Sequence, residues 1–187
     1  MKNLLFLVLA LSLPLSAIAA DNYIIDPAHT YPNFTISHLG FSTMHGRFDQ
    51  TSGTVTLDRS TKKGAIDISV KTASISTGHT KRDNHLRGAD FFNAAEFPSI
   101  TYKSNVVHFT GDVPTSVEGN LTISGVSKPV TLTINSFKCG VHPFNKKNVC
   151  GAGASTQIKR SDFGINYGLP AIGDDVTLVF EIEAVKN

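Results

Sequence analysis

Tryptophan is absent from this chain, cysteine and methionine occur twice each, and the formal charge is only +2 over 187 residues. Near neutrality removes the basic footprint that nucleic-acid binding requires. Catalytic fingerprints are missing too: there is no G-x-S-x-G elbow, no P-loop and no dinucleotide-binding glycine pattern. Histidine is present seven times, but no pair forms the H-E-x-x-H arrangement of zinc enzymes. His79 and His85 stand six apart, which does not place them on one helical face. No internal repeat or low-complexity tract occurs. These absences assign no catalytic residue, no metal and no resident cofactor, and they predict no nucleic-acid partner.

Only one long apolar run exists, and it lies at the start. Lys2 supplies a positive leader, Leu4 to Leu15 is almost wholly apolar, and Ala17-Ile18-Ala19 is a small-x-small cleavage site. The run is short for a membrane span, which needs about 20 residues. A secretory signal over residues 1–19 is the expectation, with a retained anchor as the alternative. No cysteine follows the run at the cleavage point, so nothing suggests a lipidated N-terminus. Residues 20–187 then form one domain, long enough to bury a core. Loss of Lys2 leaves a formal charge of +1.

Period-two alternation dominates that domain. Phe34, Ile36 and His38 alternate with Asn33, Thr35 and Ser37. Similar stripes run through Val55–Leu57, Ile66–Val70, Val117–Ile123, Val130–Ile134 and Val176–Ile182. Such alternation marks antiparallel strands with one dry and one wet face. Turn residues separate the stripes at Ser52-Gly53, Lys63-Gly64, Gly111-Asp112 and Ser124-Gly125. The pattern breaks between Thr77 and Ala95, where charged residues cluster and a short helix is expected near residues 79–87, followed by a turn through Asp90-Phe91-Phe92. An all-β barrel with one helical crossover fits this order. A barrel of about eight strands either fills with side chains or holds one small ligand. The 12 phenylalanines suit either outcome.

Four segments carry a family resemblance. They are Thr80 to Phe92 followed by Phe97-Pro98, Phe34 to Ser42, Gly119 to Val130 (GNLTISGVSKPV), and Arg160 to Gly164. Taken in their order along the chain and spanning nearly the whole of residues 20–187, they resemble the YceI family of bacterial proteins. The resemblance implies an extended antiparallel eight-stranded lipocalin-like β-barrel with a short helical crossover near residues 79–92. It implies export to the periplasm and an interior that holds a polyisoprenoid or an isoprenoid quinone. True lipocalins usually carry a tryptophan near the first strand, so the likeness to them is architectural.

An insoluble tail gains roughly 0.8 kcal/mol for each methylene-sized unit buried. It therefore needs a long dry tunnel more than precise polar contacts. Alternation and motif position nominate Phe34, Ile36, His38, Phe41, Phe91, Phe92, Phe97, Tyr102, Leu121, Leu132, Phe163, Tyr167, Leu178 and Phe180 as tunnel residues. Arg82, His85 and Arg87 are candidates for the head group or a lid, since arginine pairs well with phosphate. The competing reading is a salt-bridged helix docked on the barrel, with Asp83 and Arg87 at i, i+4. Arg160 and Asp162 invite the same two readings.

Cys139 and Cys150 lie close in sequence, and in an oxidising compartment they read as a disulfide at the neck of a hairpin whose tip is His142 to Lys147. With His142 they would alternatively offer three ligands to zinc. The leading functional expectation is a non-enzymatic periplasmic carrier or store for an isoprenoid lipid or quinone. A membrane or membrane-protein donor and a homodimer stay open as partners. A solidly packed barrel serving stress response or protein interaction is the alternative. An enzyme would instead lose all turnover on changing one polar residue such as His38 or His85. Protein recovered from a bacterial periplasm is expected to begin at Ala20 or Asp21 by N-terminal sequencing. A chain that keeps Lys2 and stays with membranes would mark an uncleaved anchor.

Overall fold

The computed structural model describes residues 20–187, and the expected signal, residues 1–19, lies outside the described residues. In chain order the elements are β1 (Asp21–Ile25), β2 (Tyr31–His38), β3 (Ser42–Phe48), β4 (Thr51–Asp58), β5 (Lys63–Lys71), β6 (Ile75–Ser76), α1 (Thr80–Leu86), β7 (Ser99–Thr110), β8 (Val113–Ile123), β9 (Val126–Val141), β10 (Asn148–Lys159) and β11 (Ile172–Lys186). All pairings are antiparallel. Strands β1, β4, β5, β7, β8, β9, β10 and β11 form a ring of eight, closed where β1 meets β11. This is the all-β, eight-stranded barrel expected.

Three more strands extend the ring at one end. Along β11, Ala184 to Lys186 pair with β1 and Ile172 to Glu181 pair with β2, so β1 and β2 follow one path interrupted at residues 26–30. In the same way β3 pairs with β2 and leads into β4, and β6 pairs with β3 after β5. Strand β5 pairs with β7 as far as Lys71 opposite Ser99. Beyond that point β6 does not pair with β7, and the chain leaves the sheet for the crossover. The helix there spans Thr80–Leu86, and residues 87–97 follow as turns and irregular chain. His79 caps the helix, its Nδ1 accepting from the Arg82 amide at 3.2 Å, which satisfies one of the free N–H groups of the first turn.

The alternating stripes point inward. Val117, Leu121 and Ile123 of β8, Leu132 of β9 and Val176 of β11 are buried. Two bulges move the pattern between faces. In β9 the register shifts opposite Gly153/Ala154, so that Ile134 and then Phe137 pack inward. In β7 it shifts between Lys103 and Val106, so that Tyr102 and then Val107 and Phe109 pack inward. The β8–β9 hairpin turns on Ser124 and Gly125 with φ of 49° and 76°. Two successive left-handed residues are what a two-residue hairpin needs to match strand twist.

Cys139 and Cys150 are directly opposite each other in β9 and β10 and form a disulfide. The zinc alternative therefore falls, since both thiols are consumed. Replacing both cysteines by serine is expected to cost about 3 kcal/mol in denaturant unfolding, the chain-entropy value for a loop of this size. No change in midpoint would mean that the hairpin is already fixed by its backbone pairing.

Candidate functional site

The barrel is not filled. An apolar cavity of about 310 Å³ lies at the crossover end, walled by β2, β3, α1, the turns after α1 and the first half of β11. A second chamber of about 110 Å³ shares Ile123 and Leu178 with the first and adds Phe48, Tyr102 and Leu121. A third, of about 90 Å³, shares Ile66, Leu132 and Ile182 with the second and reaches Tyr23, Phe137 and Cys150. Successive inward residues of β11 mark the run: Val176 and Leu178, then Phe180 and Ile182, then Ala184. At 3.3 Å per residue this stretch is roughly 26 Å long.

The structure distributes the nominated residues along this run. Phe34, Ile36, His38, Phe91, Phe92, Phe163, Tyr167 and Leu178 border the outer chamber. Tyr102, Leu121, Leu132 and Phe180 border the second. Gly46 makes room for Phe34: a Cβ there would stand 2.3 Å from the Phe34 ring. Tyr102 similarly lies over Gly119, with its ring 2.7 Å from where a Cβ would be. The Tyr102 hydroxyl reaches the carbonyls of Val117 and Val130 at 3.0 Å each. Burial, with the nearby Glu118 charge, pushes its pKa up to about 12.

Two nominated phenylalanines stand elsewhere. Phe41 occupies the β2–β3 turn with 89% of its surface exposed, because alternation ends at His38. Phe97 packs against the β8–β9 turn, 2.8 Å from the position of a Cβ on Gly125. Neither borders a chamber.

The polar mouth is built mainly by the crossover. Arg82 and His85 face the outer chamber. Arg82 donates from Nε to Thr77 Oγ1 and from an Nη to the Thr77 carbonyl, both at 2.7 Å. Buried Asp83 accepts from the Thr77 amide at 2.9 Å and from its hydroxyl, which fixes the start of α1 against the wall. His85 Nε2 lies 2.9 Å from Asp90 Oδ2. The His85 ring meets Phe91 edge-on at 5.0 Å and Tyr167 at 5.3 Å, so three aromatic rings border one side of the opening.

Arg87 is not at the mouth. Its guanidinium donates to the Ala73 and Ile75 carbonyls at 2.8 and 2.9 Å, tying α1 to the end of the sheet. Nor does it pair with Asp83 through its side chain, as i, i+4 spacing suggested; Asp83 takes Thr77 instead, and Arg87 takes the two carbonyls and Asn84 Oδ1, the last at 2.9 Å.

Met44, His45 and Thr77, with the aliphatic residues Leu86, Ile123, Ile158, Ile165, Ile172 and Val176, also line the outer chamber without having been nominated from the sequence. The sequence also left the role of Arg160 open. Arg160 is 5% exposed. It donates to four backbone carbonyls, those of Gly173, Ile165, Tyr167 and Ile172, at 2.8 to 3.0 Å. Burial lowers its pKa and the Asp174 charge opposes the shift. Asp162 is exposed, and it is Asp174 that receives the Ser161 amide and hydroxyl. Arg160 thus shapes the loop carrying Tyr167. Arg160→Met is expected to cost at least about 3 kcal/mol, since it strands several carbonyls away from water. Chemical denaturation checks this, and a stability within 1 kcal/mol of the parent, roughly one lost neutral hydrogen bond, would contradict it.

On the outer wall, the ligating atoms of Asp26, His29 and Glu183 lie within 4.8 Å of one another, and Asp26 already pairs with His29 at 2.8 Å.

Comparison with known proteins adds the following. The YceI-like domain matches residues 23–184. Protein YceI of Escherichia coli O6:H1 is 39% identical over 175 residues, covering 92% of this chain and 90% of that protein. Protein YceI of Salmonella arizonae is 39% identical over 191 residues, covering 100% and 98%. The crystal structure of a Campylobacter jejuni YCEI protein superposes with a TM-score of 0.66 at 30% identity, covering 81% of this chain and 90% of that one. A Saccharophagus degradans domain described as polyisoprenoid-binding shares the fold, with a TM-score of 0.66 at 17% identity, covering 88% and 98%.

Proposed function

The chain belongs to the YceI-like family, and on that premise we propose that it binds a long-chain isoprenoid lipid or isoprenoid quinone inside the barrel, as a periplasmic carrier or store. The observation that carries this reading is the line of three apolar chambers with shared walls. An apolar tail placed along them gains roughly 0.8 kcal/mol per methylene and asks for no hydrogen bond. The outer chamber, at about 310 Å³, falls at the lower end of ligand cavities, roughly 300–1,000 Å³. Arg82, His85, His38 and His45 border it and supply the few polar groups that orient a head group. A solid barrel devoted to protein contacts has no need of such chambers.

The reading assigns no catalytic residue. The disulfide suits an oxidising compartment, which supports export, and the closed ring of strands supports a single barrel domain over residues 20–187. A membrane or a membrane protein is then the donor.

The test is gentle purification, extraction with organic solvent and mass spectrometry. A long-chain isoprenoid or quinone in about stoichiometric amount is expected. No such lipid, together with no uptake of added ubiquinone, would overturn the reading.

A further inference from the structure

Two segments meet beside the mouth, and both lack aspartate, glutamate, lysine and arginine. They are residues 27–46 and residues 163–173, in a chain that is 17% charged. Leu39 donates its amide to the Ala171 carbonyl at 2.9 Å, joining the β2–β3 turn to the loop before β11. The turn is closed by the Phe41 amide on the His38 carbonyl at 3.0 Å, and the loop by the Ile172 amide on the Gly168 carbonyl at 2.8 Å. Arg160 holds the same loop from inside. On this fixed frame Phe41 is 89% exposed, Tyr167 51% and Leu39 49%. His38, Tyr167 and Ile172 of the same segments border the outer chamber. Large apolar groups held in water on a fixed rim without carboxylate, lysine or arginine mark a docking surface.

We propose that this rim docks on the surface of a lipid bilayer, with Phe41 and Leu39 entering the interfacial region beside the mouth. Aromatic and aliphatic side chains are favoured at that depth, and charged ones are not. The rim's lack of lysine and arginine selects a bilayer without requiring anionic lipid. Lys81, Arg82 and Asp90 stand on the crossover side, where they can stay among head groups. A ligand could then pass between bilayer and chamber without crossing water. This purpose rests on the lipid-binding reading; the rim itself does not.

Among the described residues Phe144 is likewise presented to solvent, and it provides the control. It is also 89% exposed, but it sits between β9 and β10 at the opposite end, near Lys138, Lys146 and Lys147. The full chain, Phe41→Ser and Phe144→Ser are compared by sedimentation with phosphatidylcholine vesicles. The parent is expected to co-sediment, with little change when salt is raised. Phe41→Ser should lower partition roughly 10- to 100-fold, the worth of one buried aromatic side chain, and Phe144→Ser should leave it unchanged. Ubiquinone binding in vesicle-free buffer, followed by calorimetry, should be the same in all three.

A parent that stays in the supernatant would overturn the proposal. So would Phe41→Ser sedimenting like the parent, or a parent dimer that Phe41→Ser dissociates, which would assign the rim to a second copy. If no variant takes up ubiquinone while the parent still binds vesicles, the cargo reading fails and the docking surface stands.

Discussion

Tyr23, Ile24 and Ile25 pair with Lys186, Val185 and Ala184, and this short ladder closes the wall. Without it the sheet would end in two open edges, each a row of unpaired backbone groups. With it, alternate residues of the ring strands acquire a common interior. The three chambers exist because that interior is wider than its side chains can fill. Glycine at 46 and 119 sharpens the point: at each, a large ring occupies the space of an absent side chain, so packing is traded across strands.

The same closure leaves the other end incomplete. Because β6 does not pair with β7, the wall there is finished by α1 and its following turns rather than by strand. Arg82, Asp83 and Arg87 fasten this piece through Thr77, Ala73 and Ile75. Arg160 does the equivalent work on the facing loop. The mouth is therefore framed by buried and half-buried polar groups that satisfy backbone, while the chamber behind it is mostly apolar and aromatic. Charge at this end mainly serves architecture: Arg87, a head-group or lid candidate, ties α1 to the sheet and does not border the chamber.

Most of the barrel was legible in the sequence. The stripes at Phe34–His38, Val117–Ile123, Val130–Ile134 and Val176–Ile182 became walls of the chambers because one face of each strand is dry. Strand β10 gave no such signal: its residues Gly151 to Ser155 are small and carry no contrast between faces. Strand β7 was hidden by its bulge, which breaks strict alternation between Tyr102 and Val107. Phe41 and Phe97 were misplaced for a related reason. Hydrophobicity says that a side chain prefers burial, but only the position of a turn says whether the barrel can supply it. The burial of Arg160 had no local signal either, since its partners are backbone carbonyls of a loop.

Affinity as a function of tail length tests the central claim most directly. A series of ubiquinones from one to ten isoprene units would be titrated by calorimetry. Filling successive apolar chambers predicts that affinity rises with each added unit and levels off once the run is occupied. Affinity independent of tail length would contradict a tunnel that works by burying the chain.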